Sequence, residues 1–283
     1  MLCQIARAQN AKLGSMILAS PSDLAMWLTL LTAIAYAIPA VVADRMGPSL
    51  ARRYLWLAWI LHGSSLGLGF WAETPRFGFA PALSVTVWWV LTAYAVESQY
   101  FPQLRARWAM AALGSAAVML AWYFPGQALQ ASNSFWLPLH WALGIASYGM
   151  FAAAVIHAAL MTHAEKQIRL GNDNESGLPL LTLERLMFRF VWLGFVLLTL
   201  TLIAGLVFGE HLYGAAGARL KWDHKTVFSF LSWITFAVLL VGRSRFGWRG
   251  RKAVRVLYIG TGLLLLGYAG SRFVLEVVLG RVA

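Results

Sequence analysis

Eight runs of apolar residues, near the length of about 17–25 residues that carries a helix across a bilayer, constrain this chain more than any other feature. They cover roughly Leu24–Ala43, Arg53–Trp71, Pro81–Val96, Trp108–Phe124, Trp136–Met161, Leu186–Phe208, Thr226–Val241 and Ala253–Leu275, the third and seventh being short. The predicted fold class is therefore all-α: a polytopic integral membrane bundle of about eight transmembrane helices. Residues 1–22 read as an N-terminal tail, in which Met16 is a second candidate start. Residues 23–283 read as a single transmembrane domain without internal repeats. No small-residue cleavage site follows Met1–Ser20.

Composition agrees. The chain is 60% hydrophobic and 12% charged, against roughly 25% charged in soluble domains, and its mean hydropathy is +0.65. A formal charge of +12 would suggest nucleic acid in a soluble protein. Here the basic residues lie in short loops between spans, so the bilayer is the partner and nucleic acid is not. The one cysteine, Cys3, excludes a disulfide framework, a thiolate zinc site and a Cys-x-x-Cys-His haem attachment.

The stretch Leu220–Ala253 sets polarity: a Trp-Asp-His cluster precedes a span and a dense basic loop follows it. The loops after odd-numbered spans hold 15 Lys or Arg, and the termini with the remaining loops hold 8. This bias puts Arg243–Arg255 in the cytoplasm and both termini outside, with Gly209–Lys225 facing the exterior of what reads as a bacterial inner membrane. The longest polar interruption, Thr162–Arg185, reads as a flexible loop whose second half, Leu178–Arg185, lies along the interface.

Six histidines are sorted by depth. His62 falls about ten residues into its span, roughly 15 Å at ~1.5 Å per residue, near the bilayer centre. An ionisable group there is a functional signal, and imidazole is the commonest haem-iron ligand. Two readings stand for His62: an inter-helix hydrogen bond, or an inner ligand beside the small residues Ser65 and Gly69, which leave room for a helix or a flat molecule. His140 and His224 fall in the same outer leaflet. His140 shares a stripe with Gly144, Ser147 and Tyr148, and His224 adjoins Asp223, Lys221 and Lys225. Such a pair suits a haem, with axial imidazoles and cations for the propionates. The plainer reading makes both ordinary interfacial histidines. His157, His163 and His211 read as interface or loop residues. Trp141 and Trp222 are candidates for a porphyrin platform, among outer aromatics otherwise expected as membrane anchors.

The segment Leu183–Gly209, with Phe-Arg-Phe-Val-Trp-Leu-Gly-Phe-Val-Leu-Leu-Thr-Leu-Thr-Leu-Ile-Ala-Gly inside it, continues through Trp222-Asp223 to Gly247-Trp248-Arg249-Gly250-Arg251. Together with Leu139-His140 and Ser147-Tyr148 it resembles the cytochrome c assembly family of integral membrane proteins (CcsA- and CcmC-related), most closely its YpjD/HemX-like branch. The resemblance covers roughly 137–270. It implies haem handling at the outer face and supply to apocytochrome or other assembly proteins, with His140 as an external haem ligand and Tyr213–Asp223 in place of the tryptophan-rich loop. The chain departs from the family pattern where His224 replaces the usual proline after Trp-Asp, and no histidine follows the last span. The in-membrane histidine expected late in span seven falls near Val241. Haem synthetase activity is not implied.

The expectation is a non-enzymatic haem-binding protein of cytochrome assembly. His140, His224 and His62 are its candidate ligands, Trp222 its platform and Asp223 the acceptor orienting His224. The alternative is a cofactor-free regulatory or structural partner of a cation-efflux or tetrapyrrole-synthesis system, associating through Arg243–Lys252. A transporter is disfavoured by the lack of repeats. Hydrolase and redox motifs are absent.

Overall fold

The computed structural model describes residues 21–42, 45–72, 75–101, 107–128, 136–171, 178–207 and 224–274. Among them run eight main helices: α1 (Pro21–Val42), α2 (Pro48–Phe70), α3 (Phe79–Tyr100), α4 (Arg107–Tyr123), α5 (Trp136–Arg169), α6 (Leu180–Val207), α7 (His224–Phe246) and α8 (Gly250–Leu265). The last continues through a π-helical stretch, Leu266–Gly270, to Ser271–Phe273. Hydrocarbon offers no partner for backbone polar groups, which is why apolar segments of this kind become helices. Six of the helices are long and apolar enough to cross a membrane. α2 is long but diluted by Arg52, Arg53, His62 and three serines, and the apolar part of α4, Trp108–Tyr123, is short.

The polar interruption is smaller than its composition implies. α5 runs on to Arg169, where Glu165 and Arg169 pair across one helical turn. α6 starts at Leu180 with Leu183, Glu184 and Met187 buried, so this segment is packed helix and not an interfacial strip. Its apolar residues recur at helical spacing and cover the core, which overrides the polar composition.

Two groups of four helices make the core. In the first, α1 packs on α2 and α4, and α3 on α4 and α2. In the second, α5 packs on α6, α7 on α6 and α8, and α8 on α5. The groups meet along α3 and α5. Glycines opposite rings allow these approaches. Phe151 of α5 and Phe236 of α7 stack at 3.7 Å and 6°. A Cβ on Gly194 would stand 3.0 Å from Phe151, and one on Gly260 only 2.8 Å from Phe236. Any side chain at Gly260 would push α8 off α7. Within lipid, packing of small residues and inter-helix hydrogen bonds hold helices together. Ser232 Oγ donates to the Gly260 carbonyl at 2.9 Å, Trp233 Nε1 to Thr199 Oγ1 at 2.9 Å and the Tyr148 hydroxyl to the Leu264 carbonyl at 2.7 Å.

The connection from α7 to α8 turns at Gly247 (φ 62°) and Gly250 (φ 55°), a left-handed geometry that suits glycine. The buried carboxylate of Glu184 fastens this turn. It accepts from Arg243 Nη1 at 2.8 Å and from Arg249 Nε at 3.0 and 3.2 Å. At the other end of the bundle β1 (Arg76–Phe77) pairs antiparallel with β2 (Gln127–Ala128). These strands join the α2–α3 and α4–α5 connections into one cap.

Candidate functional site

The end of the bundle opposite the basic turn carries the histidines of interest. His140 stands in the second turn of α5, and its half-buried ring lies against α6. A Cβ on Gly205 would come 3.4 Å from His140 Cε1 and 3.9 Å from Nδ1, so glycine there leaves the ring its place. Nδ1 is buried and makes no hydrogen bond of good geometry among the described residues, although the Thr201 backbone of α6 stands close enough to interact with the ring. A buried imidazole nitrogen held this weakly is costly, and it is also a nitrogen the fold uses little.

His224 opens α7 with an exposed side chain. Its depth follows from the Trp233–Thr199 hydrogen bond, which registers α7 against α6. His224 lies nine residues beyond Trp233 and Gly205 six beyond Thr199, or ~13 Å and ~9 Å at 1.5 Å per residue. The two histidines thus share one end and about one helical turn of depth. Trp222, Asp223, Tyr213, Lys221 and His211 lie outside the described residues.

The rest of the predicted stripe serves packing. Gly144 faces Thr201, whose Cγ2 would be 3.6 Å from a Cβ. Ser147 donates to the Gly144 carbonyl at 2.8 Å, and Tyr148 reaches α8. One face of Trp141 is taken: Phe77 from β1 stacks on it at 5.4 Å and 3°. That contact comes from a distant loop, so helical spacing around Trp141 carried no sign of it.

His62 is almost fully buried, at 1% exposure, and both its nitrogens are engaged. Nδ1 is 3.3 Å from the Tyr36 hydroxyl and Nε2 is 2.9 Å from Ser84 Oγ. Tyr36 in turn fills the space above Gly114. The ring joins α1, α2 and α3 through a polar chain inside the bundle, the arrangement expected of a histidine satisfied in lipid.

A second buried pair was not foreseen. His157 of α5 places Nε2 3.1 Å from Glu97 Oε2 of α3, although the approach lies off the hydrogen-bond direction. Its Nδ1 is 2.8 Å from the Ala153 carbonyl. A carbonyl can only accept, so Nδ1 carries the proton and donates. The sequence signal was present: an acid just past Val96 and an imidazole at the inner end of span five share one depth.

The model of the family described as cytochrome C assembly protein matches residues 48–279. The chain belongs to this family. The match begins at the first residue of α2 and so extends well before residue 137, where the residue-level resemblance begins. The chain is 33% identical over 142 residues to inner membrane protein YpjD of Escherichia coli strain K12, covering 50% of this chain and 52% of that protein. It is 30% identical over 240 residues to an uncharacterized 28.8 kDa protein of Azospirillum brasilense, covering 80% and 87%. With the cytochrome c biogenesis protein CcsA of Synechococcus elongatus it shares 31% identity over 124 residues, 44% of this chain and 34% of that one. The chain spans about half the length of the first of these relatives. No solved structure matches.

Haem needs an imidazole nitrogen that the protein leaves free. Among the described histidines of the bundle interior His140 comes nearest to this: its Nδ1 makes no hydrogen bond of good geometry, with the Thr201 backbone and the hydrogen side chain of Gly205 beside it. His62 does not fit without breaking contacts to both Tyr36 and Ser84. His224 is placed at the same end with an exposed ring.

Proposed function

We propose that this protein binds haem non-catalytically at the end of the bundle that carries His140, as part of cytochrome c assembly in a bacterial inner membrane. The observation that carries this reading is the buried Nδ1 of His140, which makes no hydrogen bond of good geometry and has the Thr201 backbone as its weak neighbour. Haem would supply an iron for imidazole and a flat apolar surface. His140 would hold it from α5, with Gly205 keeping the ring oriented and the α5–α6 interface excluding water. His224 is the second candidate ligand from the start of α7. Trp222 and Asp223, next to it in the chain, would provide the platform and the acceptor that orients its ring. His62 serves the fold instead. The basic end, Arg243–Arg255, faces the cytoplasm by the excess of positive charge, which puts both termini and the histidine end outside. Haem and an apocytochrome or other assembly proteins are the partners.

The test is an absorption spectrum of the protein purified from cells supplied with ample haem. The wild type shows a Soret band, which weakens in His140→Ala and in His224→Ala. A wild type without that band contradicts the reading.

A further inference from the structure

Between α5 and α8, at the basic end and far from the histidine site, lies an open groove. One wall is a stripe of α5 with Ala159, Thr162, Lys166 and Arg169, and the other carries Arg251 and Tyr258 of α8. The spacing along α5 puts these residues on one helical face. The groove encloses ≈ 610 Å³. A second hollow of ≈ 550 Å³ shares Thr162, Arg251 and Tyr258 and continues past Arg255 to Ile259.

The groove changes character along its length. Lys166 lies seven residues beyond Ala159, about 10 Å nearer the basic end at 1.5 Å per residue. Cations gather at that mouth. The other end is lined by Ala159 and by Ile259, whose side chain is 53% exposed at a depth where lipid chains lie. Among the described residues one acid stands with the cations: Glu165 contacts Arg169 and lies 3.8 Å from Arg251 Nε. Counted over the described residues, that carboxylate against Lys166, Arg169, Arg251 and Arg255 leaves three positive charges over. The guanidinium forks of Arg169 and Arg251, at 57% and 68% exposure, keep donors for another anion.

We infer that this groove binds an anionic phospholipid. The phosphate sits among Lys166, Arg169, Arg251 and the Tyr258 hydroxyl, and an acyl chain runs along Ala159 and Ile259. A free phosphate would make no use of the apolar half, and a zwitterionic headgroup would leave the excess positive charge unmatched.

Native mass spectrometry of the full chain with equal amounts of dioleoylphosphatidylglycerol and dioleoylphosphatidylcholine tests this. The wild type retains the glycerol lipid in preference. Arg251→Gln and Arg255→Gln each weaken that retention about fivefold, since a basic residue near an anionic surface contributes about a factor of five. Lys166→Gln, on the opposite wall, acts in the same direction. Arg45→Gln, an exposed charge on the α1–α2 connection, changes nothing. Equal retention of the two lipids by the wild type overturns the inference. So does an Arg45→Gln loss as large as that of Arg251→Gln, which would mark general surface charge. Displacement of the lipid by an equal concentration of inorganic phosphate also overturns it, because the site would then read phosphate alone.

Discussion

Gly205 and His140 face each other across the α5–α6 interface so closely that a Cβ on the glycine would stand 3.4 Å from the histidine ring. That distance admits a methyl group and little more. Gly205→Ala should therefore leave haem absorbance nearly unchanged. Gly205→Val forces the ring away from its place, at about 1–3 kcal/mol of overpacking, and should lower the Soret absorbance of a haem titration while helix content by circular dichroism holds.

His62 makes a different prediction because its ring is used by the fold. His62→Ala removes contacts to both Tyr36 and Ser84 and opens a cavity among α1, α2 and α3. A loss of about 1–3 kcal/mol follows from those terms, measured as a lower unfolding midpoint in detergent. Haem bound per folded protein should stay at the wild-type level. A selective loss of haem with stability intact would restore His62 as an inner ligand.

His157 and Glu97 form a buried pair across α3 and α5, and single and double variants of it should separate. Glu97→Gln offers Nε2 an amide donor of the same shape and should be tolerated. Replacing one partner alone, as in His157→Leu, leaves a buried acid without its counterpart and should cost about 3–5 kcal/mol. The double variant Glu97→Leu, His157→Leu should recover much of that loss in the same unfolding measurement.

These contrasts show where the amino-acid order was informative. The helices were legible because each apolar run must be satisfied by its own backbone hydrogen bonds. The ends of α5 and α6 were less so: Leu183 and Met187 pack into the core although charged residues surround them in sequence. The partners of His62 come from two other helices, and Glu97 meets His157 from sixty residues away; helical periodicity within one segment cannot pair them. Phe77 covers Trp141 for the same reason. His140 was singled out by depth and by resemblance, whereas its fit to Gly205 required the packed α5–α6 interface.

The turn after α7 depends on Glu184. Its carboxylate raises the Arg249 pKa above the usual arginine value, first through the hydrogen bond and then through charge attraction. A raised cationic pKa adds stability that is present below the unfolded value and lost only above it. For arginine that window lies beyond ordinary working pH, so this contribution stays constant across neutral pH. Glu184→Gln should expose the turn to trypsin at Arg243 and Arg249. Arg243→Gln should have the larger effect of the two arginine changes, since Arg243 is the less exposed partner. Limited proteolysis followed by peptide mapping checks both.

Whether His140 holds haem is decided by His140→Gly with and without added imidazole. The account predicts that the purified variant loses most of its Soret absorbance and regains it when free imidazole fills the vacated position. Undiminished haem binding by His140→Gly would contradict it.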